Sequence, residues 1–204
     1  MARFRWLALV VGIVTIWGCL WVAREYRTSA PSALAAASHP NHSFAPGRYA
    51  VVPHEEGAII FSYRSGEGMH ALTYEIVERT LFGWRSLVAG GFSQGYAAEG
   101  GPPPLAMAEA LPALSASASR RALPPSVVGL VLDARVASAA LGGDAVPLHV
   151  VNGQVRVFFA ALPAASSTRL RLRLLDAAGA ELETLELSRG DSASDAGTDA
   201  EPRT

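Results

Sequence analysis

A chain of 204 residues, half of them hydrophobic, with a formal net charge of −1, has enough apolar material for one packed domain in addition to a membrane segment. Between Arg48 and Arg189, 12 arginines face 13 acidic residues, a near-neutral balance that gives no electrostatic case for nucleic acid. The single cysteine, Cys19, rules out an intrachain disulfide framework, and all 17 basic residues are arginine, a bias that goes with the abundance of Ala, Gly and Pro and reads as GC-rich coding.

The first predicted element is Trp6 to Ala23, 18 residues without a charge. At the helical rise it spans about 27 Å, close to the hydrocarbon thickness of a bilayer. Trp6 lies at one end and Trp17 and Trp21 near the other, as in an interfacial aromatic belt. The run shows no polar face, unlike the helix of a soluble core. An uncleaved signal anchor, a cleaved signal peptide and a lipoprotein signal all begin this way. The anchor is favoured because the run exceeds the usual signal core of about 7–15 residues. Ile16-Trp17-Gly18-Cys19 departs from a lipobox at the bulky Trp17, and Leu20-Trp21-Val22 stay apolar past the cysteine. Arginines flank the run on both sides (Arg3 and Arg5, then Arg24 and Arg27), so the positive-inside rule is nearly silent. Only residues 1–5 precede the run, which favours a short cytoplasmic N-terminus and an extracytoplasmic C-terminal domain.

Residues 24–47, rich in Ala, Ser and Pro, read as a flexible stalk. His39 and His42 make an H-x-x-H pair, but Pro40 between them and the lack of a carboxylate nearby in sequence favour a solvated segment over a metal site. Strand signals begin at Arg48 and continue through Ala58–Tyr63, His70–Val77 and Leu81–Val88, with Gly90-Gly91 ending the last. Four runs joined by short turns predict an antiparallel meander. Residues 96–125 break the pattern with Gly100-Gly101, three consecutive prolines and Pro124-Pro125, and read as a long loop with a short helix over Leu105–Leu114.

Strands resume at Ser126–Leu132 and Arg135–Leu141. Gly142-Gly143-Asp144 and Asn152-Gly153 are hairpin signals. Thr168–Leu174 alternates strictly, with Leu170, Leu172 and Leu174 on one face and Arg169, Arg171 and Arg173 on the other. Asp176–Gly179 turns the chain into Glu181–Leu187, whose apolar phase slips between Leu182 and Leu185, as at a bulge. Residues 190–204 read as a disordered acidic tail. About ten short strands in residues 48–189 predict a mainly β domain, an antiparallel β-sandwich or partly open barrel, preceded by one transmembrane helix.

Chemistry has few candidates. Gly91-Phe92-Ser93-Gln94-Gly95 is a literal G-x-S-x-G, and Asp133 and His149 follow in the order of an α/β-hydrolase triad. That elbow needs a helix after the serine, whereas the segment that follows is rich in Gly and Pro. His54, Glu55 and Glu56, with Glu67 in the next turn, read as solvated turn residues rather than a metal or general-base site. His70 and His149 lie in strands. The arginine row could meet an anionic polymer or lipid headgroups, but Glu181, Glu183 and Glu186 are placed to pair with it. No residue is assigned a catalytic, cofactor or metal role, and no cofactor is implied.

Gly57–Phe61, Leu81-Phe82-Gly83-Trp84 and Gly90-Gly91-Phe92, followed by Gly129–Asp133 with Arg135-Val136, resemble a loose group of uncharacterised secreted or membrane-anchored proteins of Bacillus-like bacteria, over residues 48–162. The resemblance implies a location and a domain type and brings no activity. The resulting expectation is a non-enzymatic interaction or sensing module at the cell envelope, held in the membrane by Trp6–Ala23. Its partner would be an envelope protein or an anionic polymer. The alternatives are a ligand-binding domain with residues 96–125 as a flap, or an envelope serine hydrolase using Ser93.

Overall fold

The structure, a computed structural model, describes residues 2–38, 40, 42–55, 57–66, 68–95, 104–115, 122–162 and 169–188. The expected acidic tail and His39, Glu56 and Glu67 lie outside the described residues.

Helix α1 (Ala2–Thr28) contains the whole apolar run. From Leu9 to Thr28 it is long and apolar enough to cross a membrane, and none of that stretch is buried within the chain. Thr15 donates to the Val11 carbonyl at 2.8 Å, so its hydroxyl is satisfied inside the helix.

Three antiparallel sheets follow. The first is a meander of β1 (Tyr49–His54), β2 (Gly57–Gly66), β3 (Met69–Thr80) and β4 (Gly83–Gly95). The middle sheet has the order β11 (His149–Val150), β12 (Arg156–Ala161), β8 (Ser126–Val131), β5 (Ala106–Leu111). The last has the order β10 (Asp144–Val146), β9 (Ser138–Leu141), β13 (Arg169–Leu175), β14 (Glu181–Ser188). A short hairpin pairs β6 (Leu114–Ser115) with β7 (Ala122–Leu123).

The middle sheet packs on both sides. Val128, Leu130 and Val157 meet Ile59, Phe61, Leu72 and Tyr74 of the first sheet. Val127, Val131 and Phe158, one residue out of phase, meet Leu170, Leu172 and Leu174 of the last. Adjacent strand residues point to opposite faces, so covering both faces buries all six residues of β8. Gly129 is required there: a Cβ would stand 2.2 Å from the Phe158 ring and 2.7 Å from the Met107 carbonyl.

Several expected details are corrected. Residues 104–115 are not a helix in a surface excursion. Ala106–Leu111 is strand β5 of the middle sheet, with Ala106, Met107 and Leu111 buried. Helix propensity is outweighed because alternate residues serve two cores: the small Ala106, Ala108 and Ala110 face the last sheet, and Met107 and Leu111 face the first. Strand β4 does not end at Gly90-Gly91 but pairs with β3 as far as Gly95. The bulge in the last hairpin falls at Leu182, since Leu174 faces Glu183 and Leu175 faces Glu181. Gly142 (φ 63°) and Gly143 (φ 107°) make the β9–β10 turn where it was predicted.

The expected flexible stalk lies against the outer face of the first sheet as a strap. Ala30 bridges Trp84, with Ala30 N–H donating at 2.7 Å and Trp84 N–H returning at 2.8 Å. Helix α2 (Ala33–Ala36), capped by the Ser32 side chain, packs with Ala58, Ile60 and Val77. Small Ala side chains let this segment approach the sheet closely. Gly83 (φ 140°) sits under the bridge, where a Cβ would meet the Ala30 carbonyl at 2.4 Å. Beyond position 43 the chain turns over the sheet edge, and Tyr63 N–H donates to the Arg48 carbonyl at 2.8 Å as β1 begins.

Candidate functional site

The outer face of the first sheet is formed by alternate residues of β2, β3 and β4. Register places Ile60 beside Glu75, Ser62 beside Thr73, Arg64 beside Ala71, and Ser93 beside Ala71 from the other side. Along this face the environment changes in three steps.

At the end nearest α1, helix α2 seals an apolar patch. In the middle the strap brings polar groups onto the sheet. Glu75, fully buried, accepts the Ser38 backbone N–H at 3.1 Å, and its other oxygen lies 3.2 Å from His42 Nε2. His42 Nδ1 is 3.4 Å from the Thr73 hydroxyl, and its ring stacks on Phe44 at 5.4 Å. Ser43 N–H donates to Ser62 Oγ at 2.6 Å. A fully buried carboxylate in the middle of β3 is tolerated because the strap returns hydrogen bonds to it. His42 is therefore a buried partner of Glu75 and not part of the solvated segment expected from the sequence.

At the far end the strap stops and the face opens into a groove of about 860 Å³. Ser62, Arg64, Ala71, Thr73 and Ser93 line it, with Met69 and Gly91 at its margins. Thr73 belongs both to the groove wall and to the chain Thr73–His42–Glu75, so the groove ends on the buried couple. Arg64 and Ser93 are exposed. Of its polar groups the Arg64 guanidinium and the Ser65 and Ser93 hydroxyls are exposed, whereas those of Ser62 and Thr73 are taken up by the strap; the open set suits a polar ligand carrying a negative group.

The other sequence candidates fall elsewhere. Ser93 is paired with Ala71 inside β4, whose ladder continues to Gly95, and is not on a strand-to-helix elbow, so G-x-S-x-G here has no nucleophile geometry. Asp133 accepts from Arg135 N–H at 2.8 Å and from its guanidinium at 2.7 Å, bonds that hold its carboxyl below the usual range. His149 is paired within the middle sheet opposite Val157. Among the described residues no hydrogen bond joins Ser93, Asp133 and His149. His54 ends β1 with its ring edge against Phe159 at 5.0 Å. His70 stacks on Tyr63, whose hydroxyl is 2.9 Å from its Nδ1, and burial pushes its pKa down. In the interface between the first and middle sheets Tyr74 is pushed up to about 12 by burial and by the nearby Glu109, whose own pKa burial raises. The Tyr74 hydroxyl lies over Gly90, where a Cβ would stand 2.4 Å away.

Of the arginine row, Arg171 pairs with Glu186 at 3.4 Å, whereas Glu181 accepts from Thr184 and Glu183 faces Leu174 across the hairpin. Among the described residues no three His, Cys, Asp or Glu side chains come together to hold a metal ion.

Sequence reading missed the Glu75–His42 couple and the groove. A signal was available: Ala58–Tyr63 is an unbroken buried run, which requires a cover on both faces of β2. Comparison of the chain with protein-family models, curated proteins and solved structures finds no match.

Proposed function

We propose that the chain is a single-pass, membrane-anchored, extracytoplasmic β-domain that acts as a non-enzymatic interaction module of the cell envelope, with the groove on the first sheet as its recognition surface. One observation carries the reading. The strap covers half of a sheet face and leaves the other half as a polar groove of about 860 Å³, lined by an arginine and hydroxyls, at the end of the face away from α1. Arg64 is the charge contact for an anionic polymer or an acidic segment of an envelope protein, and the exposed Ser65 and Ser93 supply hydrogen bonds. Kinship with the secreted and membrane-anchored proteins that residues 48–162 resemble belongs to the same proposal.

The flap version of ligand binding is not retained for residues 104–115, because β5 is built into the middle sheet. The test uses full-length protein in nanodiscs with a photo-crosslinker at Ser93, exposed to an envelope extract. A crosslinked species that disappears with Arg64→Glu supports the groove. Crosslinking indifferent to Arg64→Glu removes the groove from the reading, and covalent capture of Ser93 by a fluorophosphonate overturns the non-enzymatic part.

A further inference from the structure

The turn between β3 and β4 carries Leu81, which is 88% exposed, the most exposed large apolar side chain among the described residues. Phe82 follows it, also exposed. The turn does not need them for its shape. Thr80 Oγ1 accepts the Phe82 N–H at 3.3 Å and donates to the Gly83 carbonyl at 3.1 Å. A single exposed leucine at a turn is ordinary. What sets this one apart is its neighbour, the last turn of α1.

Four contacts hold the two together. The Tyr26 and Phe82 rings meet edge-on at 6.5 Å. Ser29 and Thr80 share a hydrogen bond of 3.1 Å. Arg85 reaches the Glu25 carboxylate at 3.3 Å. Ala30 and Trp84 exchange backbone hydrogen bonds. Tyr26 lies three residues past Ala23, the end of the apolar run, or about 4.5 Å further along the helix axis. The headgroup layer on each side of a bilayer is roughly 5–7 Å deep. A ring touching Tyr26 is therefore at headgroup depth if α1 spans the bilayer, where amphipathic and apolar side chains are favoured. The local charge agrees. Arg85 binds both Glu25 and Glu78, offsetting one of their two charges, and Arg24, Arg27 and Arg79 are exposed, so arginines outnumber carboxylates around the turn.

We infer that the Leu81–Phe82 turn inserts into the headgroup layer of the bilayer crossed by α1, giving the domain a second, shallow lipid contact that fixes its orientation on the membrane. This rests on the reading of α1 as an anchor. The test uses the full chain with Cys19→Ala and a single environment-sensitive fluorophore at Leu81→Cys, reconstituted in phosphatidylethanolamine–phosphatidylglycerol vesicles. The same label at Ala178→Cys, in the exposed turn before β14, is the control. The expected result is a blue-shifted emission at position 81, quenched by a spin label on the lipid headgroups, with neither effect at position 178. Identical behaviour at the two positions, in protein that resists alkaline carbonate extraction, overturns the lipid contact and leaves the anchor standing. Release by carbonate overturns both.

Discussion

The two outer faces of the three-sheet stack are built from the same antiparallel hairpins and treated in opposite ways. On the last sheet, β13 alternates exposed arginine with buried leucine, and its outer face goes to water. On the first sheet, β2 is buried without interruption from Ala58 to Tyr63, and a fully buried glutamate, Glu75, sits on the outer face of the neighbouring strand. Alternation marks a sheet with one covered face, and an unbroken apolar run marks one with two. The strap supplies the second cover, and where it stops the face becomes a groove. The structural difference between the faces is thus one segment of small residues, Ala30 to position 43.

The largest effect expected from breaking this contrast is at Glu75. Glu75→Ala removes the acceptor of the Ser38 N–H and the partner of His42, and should cost about 2–4 kcal/mol in chemical denaturation. Gly83→Ala, which drives a Cβ into the Ala30 carbonyl at a φ of 140°, should cost about 1–3 kcal/mol. It should also expose the strap, read as faster tryptic cleavage after Arg27 and Arg48 with the rest of the domain resistant. Arg171→Ala is the smallest change. Its pair with Glu186 is solvated on both sides, so stability should move by less than about 0.5 kcal/mol. Equal losses at Glu75 and Arg171 would show that the covered and uncovered faces do not differ energetically.

How legible the fold was depended on whether a signal was local. The leucine–arginine alternation within Thr168–Leu174 and the glycines at 142 and 143 carry their geometry in a few neighbouring residues, and the structure follows them. Asn152-Gly153 does lie in a hairpin, but one closed by residues 151–155 rather than a two-residue turn, with Val146 in a strand of the last sheet. Residues 105–114 carried a misleading local signal: Ala, Leu, Met and Glu favour helix, and only packing between two other sheets makes them a strand. The strap had no local signal. Its Ala, Ser and Pro composition is that of a linker, and it is ordered by contacts to residues such as Glu75 and Trp84, which stand 33 or more positions away in the chain. Ser93 was visible as a motif, but its place on an open strand face depends on where the strap ends, and local sequence does not give that.

The absence of slack between α1 and the first sheet has a geometric consequence. Strand β3 runs from Thr80, beside the helix, to Met69, at the margin of the groove. At the strand rise of about 3.3 Å per residue, Thr73 stands roughly 23 Å and Met69 roughly 36 Å from the end of β3 beside α1. On the reading proposed above, with α1 in a bilayer and the groove as the recognition surface, the sheet acts as a ruler: it holds the groove at a fixed distance from the helix, and a partner must reach that far to be bound.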